Sequence, residues 1–141
     1  CIVENVAIST EVGVADFLDI QGYGKGLSGL ICNYSFQHKE RLEIELSNSK
    51  NEGSNIIKVP TIKLGSVLVK YSVNHIDFLS IDTEGGEEKI IKSLDLSIFS
   101  IQVILIENNY KNTEIENHLK KQSYTKIKSF DVDDLYMKDS D

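Results

Sequence analysis

Three acidic side chains follow two apolar segments of this 141-residue chain, and they are its strongest chemical signal. Asp82 ends the apolar segment 76–82, Glu84 comes two residues later, and Glu107 directly follows the apolar segment 101–106. The carboxyl ends of parallel strands meet at one rim of a sheet, where α/β proteins bind ligands, so we expect Asp82 and Glu107 to lie together. Asp82 and Glu84 would share a strand face if the chain stays extended.

The charge of this rim restricts the ligand that it would bind. Carboxylates repel a phosphate unless a metal ion intervenes, whereas a cationic group, hydroxyls or a divalent ion suit them better. Gly85 and Gly86 allow a tight turn after the strand. Glu87 and Glu88 are then expected in the first turn of a helix, where the helix dipole favours negative charge.

The elements that must position these acids alternate in type along the second half of the chain. Apolar strands are predicted at residues 76–82 and 101–106, and the last strands at 124–130 and 133–137. Helices are predicted from the apolar faces at Leu64, Val67, Leu68 and Tyr71, at Ile90, Ile91, Leu94 and Ile98, and from a capping-box pattern at Thr113–Glu116. This alternation predicts an α/β fold with a mostly parallel sheet and an antiparallel final edge.

The first part of the chain, residues 1–55, is predicted to be β-rich. Residues 41–46 alternate between apolar and acidic side chains, which favours a half-buried strand, while their Glu and Leu content also permits a helix. Residues 47–55 are typical of a polar turn. Residues 56–64 contain Pro60 and fit an edge or bent strand. We find no linker that would separate domains and expect one domain over residues 1–141, with an α/β core from residue 56.

A glycine cluster at residues 24–29 matches the pattern G-x-G-x-x-G literally. That dinucleotide-binding fingerprint needs a preceding parallel strand and an immediately following helix, and residues 30–36 show no helical apolar face. No convincing strand-end acid follows about 20 residues later. We therefore predict a mobile glycine loop that could fold over a substrate, not a nucleotide site.

Composition narrows the classes of partner. The net charge of −7 and the pI near 5.0 argue against nucleic acid or an anionic membrane as partner. No apolar run approaches the roughly 20 residues of a membrane helix, and no signal sequence is evident, so a cytoplasmic location is expected. The histidines His38, His75 and His118 share no metal-ligand spacing and are expected at the surface or on helices.

Two further groups of charged side chains are expected to be solvated. They are the lysines Lys120, Lys121, Lys126 and Lys128, and the C-terminal acids Asp131, Asp133, Asp134, Asp139 and Asp141.

Three segments together resemble the FkbM-type methyltransferase family. They are V-P-T-I-K-L at residues 59–64, I-D-F-L-S-I-D-T-E-G-G-E at residues 76–87, and I-L-I-E at residues 104–107. The second segment is the specific part, and the opening N-V-A-I-S at residues 5–9 and the glycine loop are similar to the middle of the family's domain. Gly65 stands where the family often has an acid.

The resemblance implies a class I, Rossmann-like fold, S-adenosylmethionine as cofactor, and methyl transfer, usually to a hydroxyl oxygen of a glycan or natural product. By analogy, Asp82 and Glu84 would line the place where methyl donor and acceptor meet, and Asn5 and Ala7 would lie near the adenine. A carboxylate here can accept or orient the hydroxyl proton, a role that we assign to Asp82, with Glu84 orienting the acceptor.

The strand and glycine-rich loop with which such a fold normally begins do not precede Cys1, so we expect an N-terminally incomplete domain. Two alternatives stay open. Asp82, Glu107 and Asn108 are similar to the oxygen-ligand trio of catechol-type O-methyltransferases and would suit Mg²⁺. The chain could also be a truncated or degenerate domain that acts as a non-enzymatic binding module.

Overall fold

The structure is a computed structural model that describes residues 1–47 and 51–139. It contains two compact units, each with a four-stranded sheet. Unit 1 comprises Cys1–Ile62 together with Thr83–Gly86, and unit 2 comprises Lys63–Asp82 together with Glu87–Asp141. The acidic segment that follows residue 81 is therefore divided between the units, with Asp82 in unit 2 and Glu84 in unit 1.

The sheet of unit 1 is built around one long antiparallel pair. Its strands, in the spatial order β1-β4-β2-β3, are β1 (Ala7–Ile8), β2 (Gly13–Gly22), β3 (Gly29–Leu30) and β4 (Asn51–Ile62). β2 and β4 pair from Gly13↔Thr61 to Gly22↔Asn51. A 3₁₀ turn at Tyr23–Leu27 connects β2 to β3, and the helix α1 (Phe36–Leu46) precedes β4.

The long β4 corrects two expectations. The predicted polar turn at 47–55 extends too far, because β4 begins at Asn51, while residues 48–50 lie outside the described residues. The predicted edge or bent strand is not at the edge over its whole length, because β1 pairs with Thr61 and Ile62. Pro60 directly precedes that parallel pairing, so its missing N–H interrupts no β1–β4 pair.

The predicted strand at residues 41–46 is wrong, because these residues belong to α1. The apolar side chain of Ile44, which completes the alternating pattern, is 72% exposed. The buried residues are instead His38 and Leu42, which stand four apart as on one face of a helix. Ser35 caps this helix, since its hydroxyl accepts a hydrogen bond from the backbone N–H of His38 at 3.1 Å.

Unit 2 has the order of elements expected from the sequence. Its helices are α2 (Leu64–Lys70), α3 (Glu87–Ser93) and α4 (Thr113–Lys121), and its strands are β5 (His75–Ile81), β6 (Ser100–Glu107), β7 (Tyr124–Phe130) and β8 (Asp133–Lys138). The strands lie in the order β5-β6-β8-β7. β5 and β6 are parallel, and the two final strands are antiparallel, as predicted.

The expectation of a mostly parallel sheet is confirmed only in part. Among the described strands, parallel pairing is confined to β1–β4 and β5–β6. The β5–β6 pair is connected through a helix, which returns the chain in the same direction. The β2–β4 and β7–β8 pairs run antiparallel.

Apolar side chains from both helices and strands are buried in unit 2. Nine of them are at most 2% exposed, namely Ile90, Ile91, Ile101, Ile104, Ile106, Ile115, Leu119, Tyr124 and Tyr136. Burial of one such side chain contributes about 1.5–3 kcal/mol. Ile98, predicted on the helical face of α3, lies beyond the end of that helix and is 62% exposed. The N-cap of α4 is Asn112, one residue before the predicted capping box.

A buried polar group corrects the prediction of a solvated acidic tail. Asp134 is 0% exposed, and its carboxylate accepts hydrogen bonds from Ser129 Oγ at 2.5 Å and Asn108 Nδ2 at 2.9 Å. Lys126 Nζ lies 3.0 Å from Asp134 Oδ2 and 3.1 Å from Glu116 Oε2, so this lysine is not simply solvated either. Burial alone would raise the pKa of Asp134, but these three donors outweigh it and hold the pKa below its ordinary value.

None of the helices in the part of the chain that the structure describes is long and apolar enough to cross a membrane.

Candidate functional site

The carboxyl ends of β5 and β6 bring two of the predicted acids together in unit 2. β5 and β6 pair in register up to Ile81↔Ile106, so Asp82 and Glu107 follow at equivalent positions. A carboxylate oxygen of each lies within 4.8 Å of the other, and their side chains share a hydrogen bond. Two carboxyl groups this close can share one proton, which makes the pair a candidate proton-accepting site.

The pKa of Asp82 is raised above its ordinary value. The largest cause is partial burial, followed by the negative charges of Glu87 and Asp133, while the hydrogen bond with Glu107 acts in the opposite direction. A raised pKa increases the basicity of the Asp82 carboxylate, which favours acceptance of a proton.

Asp133 is a member of this rim that sequence reasoning missed. It was expected to be solvated, but it pairs with Glu107 in the β6–β8 register and its charge reaches Asp82. One signal could have identified it: β8 runs antiparallel to β6, so the first residue of β8 must lie where β6 ends. Glu87 starts α3 as predicted but is only 7% exposed.

Asn108 stands apart from the predicted trio of metal ligands. Its Oδ1 accepts a hydrogen bond from the backbone N–H of Asn112 at 2.7 Å, and its Nδ2 donates to Asn112 O at 3.2 Å and to Asp134 Oδ2 at 2.9 Å. This buried amide therefore connects β6 to the start of α4 and to β8. Asp82 and Glu107 remain as the predicted metal ligands of that alternative.

Glu84, in unit 1, lies beside His38, a histidine to which the sequence analysis assigns no functional role. His38 lies on a helix, as expected, but is only 1% exposed, and its Nδ1 is 3.9 Å from Glu84 Oε2. Glu84 itself has a φ of 54°, in the left-handed region that costs a non-glycine residue about 1–3 kcal/mol. Such strain is characteristic of functional positions.

Tyr34 completes this cluster in unit 1. Its ring stacks on His38 with centroids 4.4 Å apart and an interplanar angle of 20°. Its hydroxyl donates within reach of two backbone carbonyls, Leu27 O at 3.1 Å and Gly29 O at 3.2 Å. Burial, and then the charge of Glu84, raise the pKa of Tyr34 to about 12, so the phenol stays protonated. Its hydroxyl therefore holds the end of the 3₁₀ turn Tyr23–Leu27, which we call the glycine turn.

The glycine turn borders a cleft of about 240 Å³ in unit 1. The cleft is lined by Tyr23, Gly24, Gly26 and Leu27 of the turn, by Arg41 and Glu45 of α1, and by Glu84. The turn is followed by the short strand β3 and not by an α-helix, so the dinucleotide fingerprint lacks its structural context. The sequence did not predict that Arg41 and Glu45 join this loop, because it placed them on a strand.

A second cleft of unit 1, of about 390 Å³, contains both predicted cofactor residues. Asn5 and Ala7 line it together with Phe17, Ile57 and Val59, and its other lining residues are Glu4, Val6, Lys58 and Pro60. Apolar walls with a few polar groups are the usual composition of a small-molecule site.

The chain matches the family model described as the methyltransferase FkbM domain over residues 2–136. Neither the curated proteins nor the solved structures contain a significant match.

Proposed function

Because this chain belongs to the FkbM methyltransferase domain family, we propose that it takes part in methyl transfer from S-adenosylmethionine to a hydroxyl oxygen of a sugar or natural product. The observation that carries this proposal is the carboxyl pair Asp82–Glu107 at the ends of two parallel strands. It supplies a proton-accepting group at the edge of the sheet where ligands of such folds bind.

The cleft at Asn5 and Ala7 supports the choice of cofactor. Phe17, Ile57 and Val59 provide apolar surface for a flat heteroaromatic ring, and the side-chain amide of Asn5 can both donate and accept hydrogen bonds. These apolar walls and this amide fit the adenine end of S-adenosylmethionine, and none of these groups requires a phosphate on the ligand. When bound, the cofactor supplies a methyl group already activated on a sulfonium.

The protein's part in the reaction is then alignment and proton acceptance. A hydroxyl that becomes an ether loses its proton, and Asp82 is the residue we assign to accept it, because its pKa is raised by burial and by neighbouring acids. Glu84 is assigned to orient the acceptor hydroxyl. Positioning of the reacting groups supplies much of the rate enhancement in a reaction of this kind.

The metal alternative is supported by the same pair of acids. Asp82 and Glu107 offer two oxygen ligands, and Mg²⁺ commonly binds through one or two carboxylates and keeps several waters. Loss of activity in a chelator, with recovery on addition of Mg²⁺, would favour this alternative over direct proton acceptance.

The test begins with cofactor binding to the whole chain. We expect calorimetric titration with S-adenosylhomocysteine to show binding that Asn5→Ala weakens. Asn55→Ala, the same change at an exposed position of β4 outside the cleft, should leave binding unchanged. Formation of labelled methylated product from a panel of hydroxylated acceptors then tests the transfer. Absence of binding by the folded chain would contradict the proposal and favour a non-enzymatic binding module.

A further inference from the structure

We propose that the 240 Å³ cleft of unit 1, between the turn Tyr23–Leu27 and α1, binds the acceptor as a single neutral ring that bears several hydroxyls, as in a monosaccharide. The proposal rests on the proposed function only where it calls this ligand the methyl acceptor. Binding of the ligand itself follows from the chemistry of the cleft.

The polar groups of the cleft match hydroxyls in number and type. Arg41 contributes only hydrogen-bond donors, while the carboxylates of Glu45 and Glu84 contribute only acceptors. A hydroxyl both donates and accepts, so neighbouring hydroxyls on one ring can use both kinds of group at once. Tyr23, whose side chain is 64% exposed, adds an aromatic wall against which the C–H face of a sugar ring can pack.

The charge of the cleft disfavours phosphorylated and acidic ligands. Two carboxylates face one guanidinium, which leaves an excess of negative charge. A phosphorylated or acidic ligand would meet Arg41 only together with Glu45 and Glu84, and their repulsion offsets the attraction. A neutral ligand does not pay this penalty, so the cleft discriminates against the anionic form of the same ring.

The cleft is held in shape by the buried cluster behind it. Glu84 lies beside His38, His38 stacks on Tyr34, and the hydroxyl of Tyr34 donates to the carbonyl of Leu27 in the turn. One connected set of contacts thus links an acidic wall of the cleft to its glycine wall. Binding groups fixed in this way lose little freedom when a ligand binds.

The size of the cleft limits the ligand to about one ring. Pockets for drug-sized ligands span about 300–1,000 Å³. A volume of about 240 Å³ lies just below that range, so we expect a single sugar residue to enter and any further residues of a glycan to remain outside.

The experiment measures ligand binding without any cofactor. The whole, ¹⁵N-labelled chain is titrated with methyl glycosides of glucose, galactose, mannose and rhamnose, and separately with glucose 6-phosphate. We expect at least one methyl glycoside to shift the amides of Gly24, Gly26 and Leu27, and the phosphate to bind at least fivefold more weakly than methyl glucoside. Shifts confined to other residues, or stronger binding of the phosphate, would overturn the proposal.

Matched variants separate the cleft from the rest of α1. We expect Arg41→Met and Glu45→Gln each to raise the dissociation constant about tenfold, and Lys39→Met and Glu43→Gln, which lie on α1 outside the cleft, to leave it unchanged. Tyr23→Phe should keep most of the affinity and Tyr23→Ala should lose it. Equal effects of cleft and control variants, in proteins with unchanged circular dichroism, would contradict the assignment.

Titration with S-adenosylhomocysteine in a separate sample distinguishes the two proposals. Sugar binding without cofactor binding would support this inference and contradict methyl transfer. Cofactor binding without sugar binding at the cleft would contradict this inference and leave methyl transfer supported.

Discussion

His38 Nδ1 lies 3.9 Å from Glu84 Oε2, and the imidazole is almost completely buried against the ring of Tyr34. The contact joins the middle of the unit-1 core to a residue of the motif on which the family resemblance depends. His38 does not line either of these two clefts but contacts Glu84 and Tyr34, so we infer that it affects a bound ligand through them. It is therefore a positioning residue.

We predict that His38→Phe lowers ligand binding and methyl transfer while it largely preserves the fold. Phenylalanine keeps an aromatic ring against Tyr34 but removes the ring nitrogen beside Glu84. Loss of one interaction worth about 1 kcal/mol corresponds to a roughly fivefold change in the dissociation constant. Titration and thermal unfolding measure both effects, with the exposed His75→Phe as control. Unchanged affinity in a folded His38→Phe protein would contradict the positioning role.

Asp82→Asn is predicted to reduce methyl transfer by about 100-fold, the lower end of what general base catalysis contributes. Asparagine keeps the shape of the side chain but cannot accept the proton. The matched control is Asp77→Asn on the same strand, where the carboxylate is highly exposed. Single-turnover rates with labelled cofactor give the comparison. If the two variants are equally active, the assignment of Asp82 is wrong.

The same Asp82→Asn substitution is predicted to stabilise unit 2 at neutral pH. The folded-state pKa of Asp82 is raised, so its charged form is less favourable in the folded than in the unfolded chain. This penalty is complete above the folded-state pKa and disappears as the pH falls below the unfolded value near 3.8. Thermal unfolding of both proteins between pH 7 and pH 3 should show a gain that shrinks on acidification. A gain that grows toward low pH would contradict this account.

Asp134 is predicted to show the opposite pH dependence. Its pKa is lowered in the fold, so its ionised form contributes stability above the unfolded value near 3.8, and this is lost as the pH falls through the folded-state pKa. At pH 7, Lys126→Met should lower the free energy of unfolding by about 1–3 kcal/mol, because it leaves a buried carboxylate with fewer donors. Denaturant unfolding at pH 7 and pH 3 measures the difference, with the exposed Lys120→Met as control. An equal loss at both pH values would contradict the role of the charge.

Gly85→Ala is predicted to destabilise unit 1 by about 1–3 kcal/mol. Gly85 has a φ of +113°, and a Cβ there would lie 3.0 Å from the backbone oxygen of Asn33, which cannot move independently of the chain. At Gly26, a Cβ would meet nothing within 4 Å, so Gly26→Ala should change the free energy of unfolding by less than about 1 kcal/mol. Denaturant unfolding of both variants tests whether a glycine is required only where the backbone conformation and a close contact demand it, as at Gly85. Equal losses of stability in the two variants would contradict this account.

The sequence predicted unit 2 well because its strands and helices follow simple periodic patterns. The runs that became β5 and β6 end at acids, and parallel pairing then required Asp82 and Glu107 to meet. The prediction failed at α1, where Leu42, Ile44 and Leu46 alternate like a strand although burial follows a spacing of four. Because of that error, the sequence analysis did not identify Arg41 and Glu45 as lining residues of the 240 Å³ cleft, a position they occupy on the helix α1.

Sequence patterns did not predict the contacts between residues that are distant in the sequence. Nothing near His38 in the sequence indicates that Glu84 will lie beside it, because 45 intervening residues must fold first. Asp133 and Asp134 are adjacent acids in a charged segment, yet one belongs to the rim and the other is buried with Lys126. Alternation along β8 places them on opposite faces, which becomes informative only once the strand register is known.

The register of β6 and β8 places Glu107 directly opposite Asp133, and like charges at such positions weaken a sheet. Selection for heat resistance alone should therefore repeatedly neutralise one of these two acids. If the rim serves catalysis, the variants so enriched would lose turnover as they gain melting temperature. Laboratory evolution for heat resistance would then remove one of the two acids, whereas evolution for turnover would retain both.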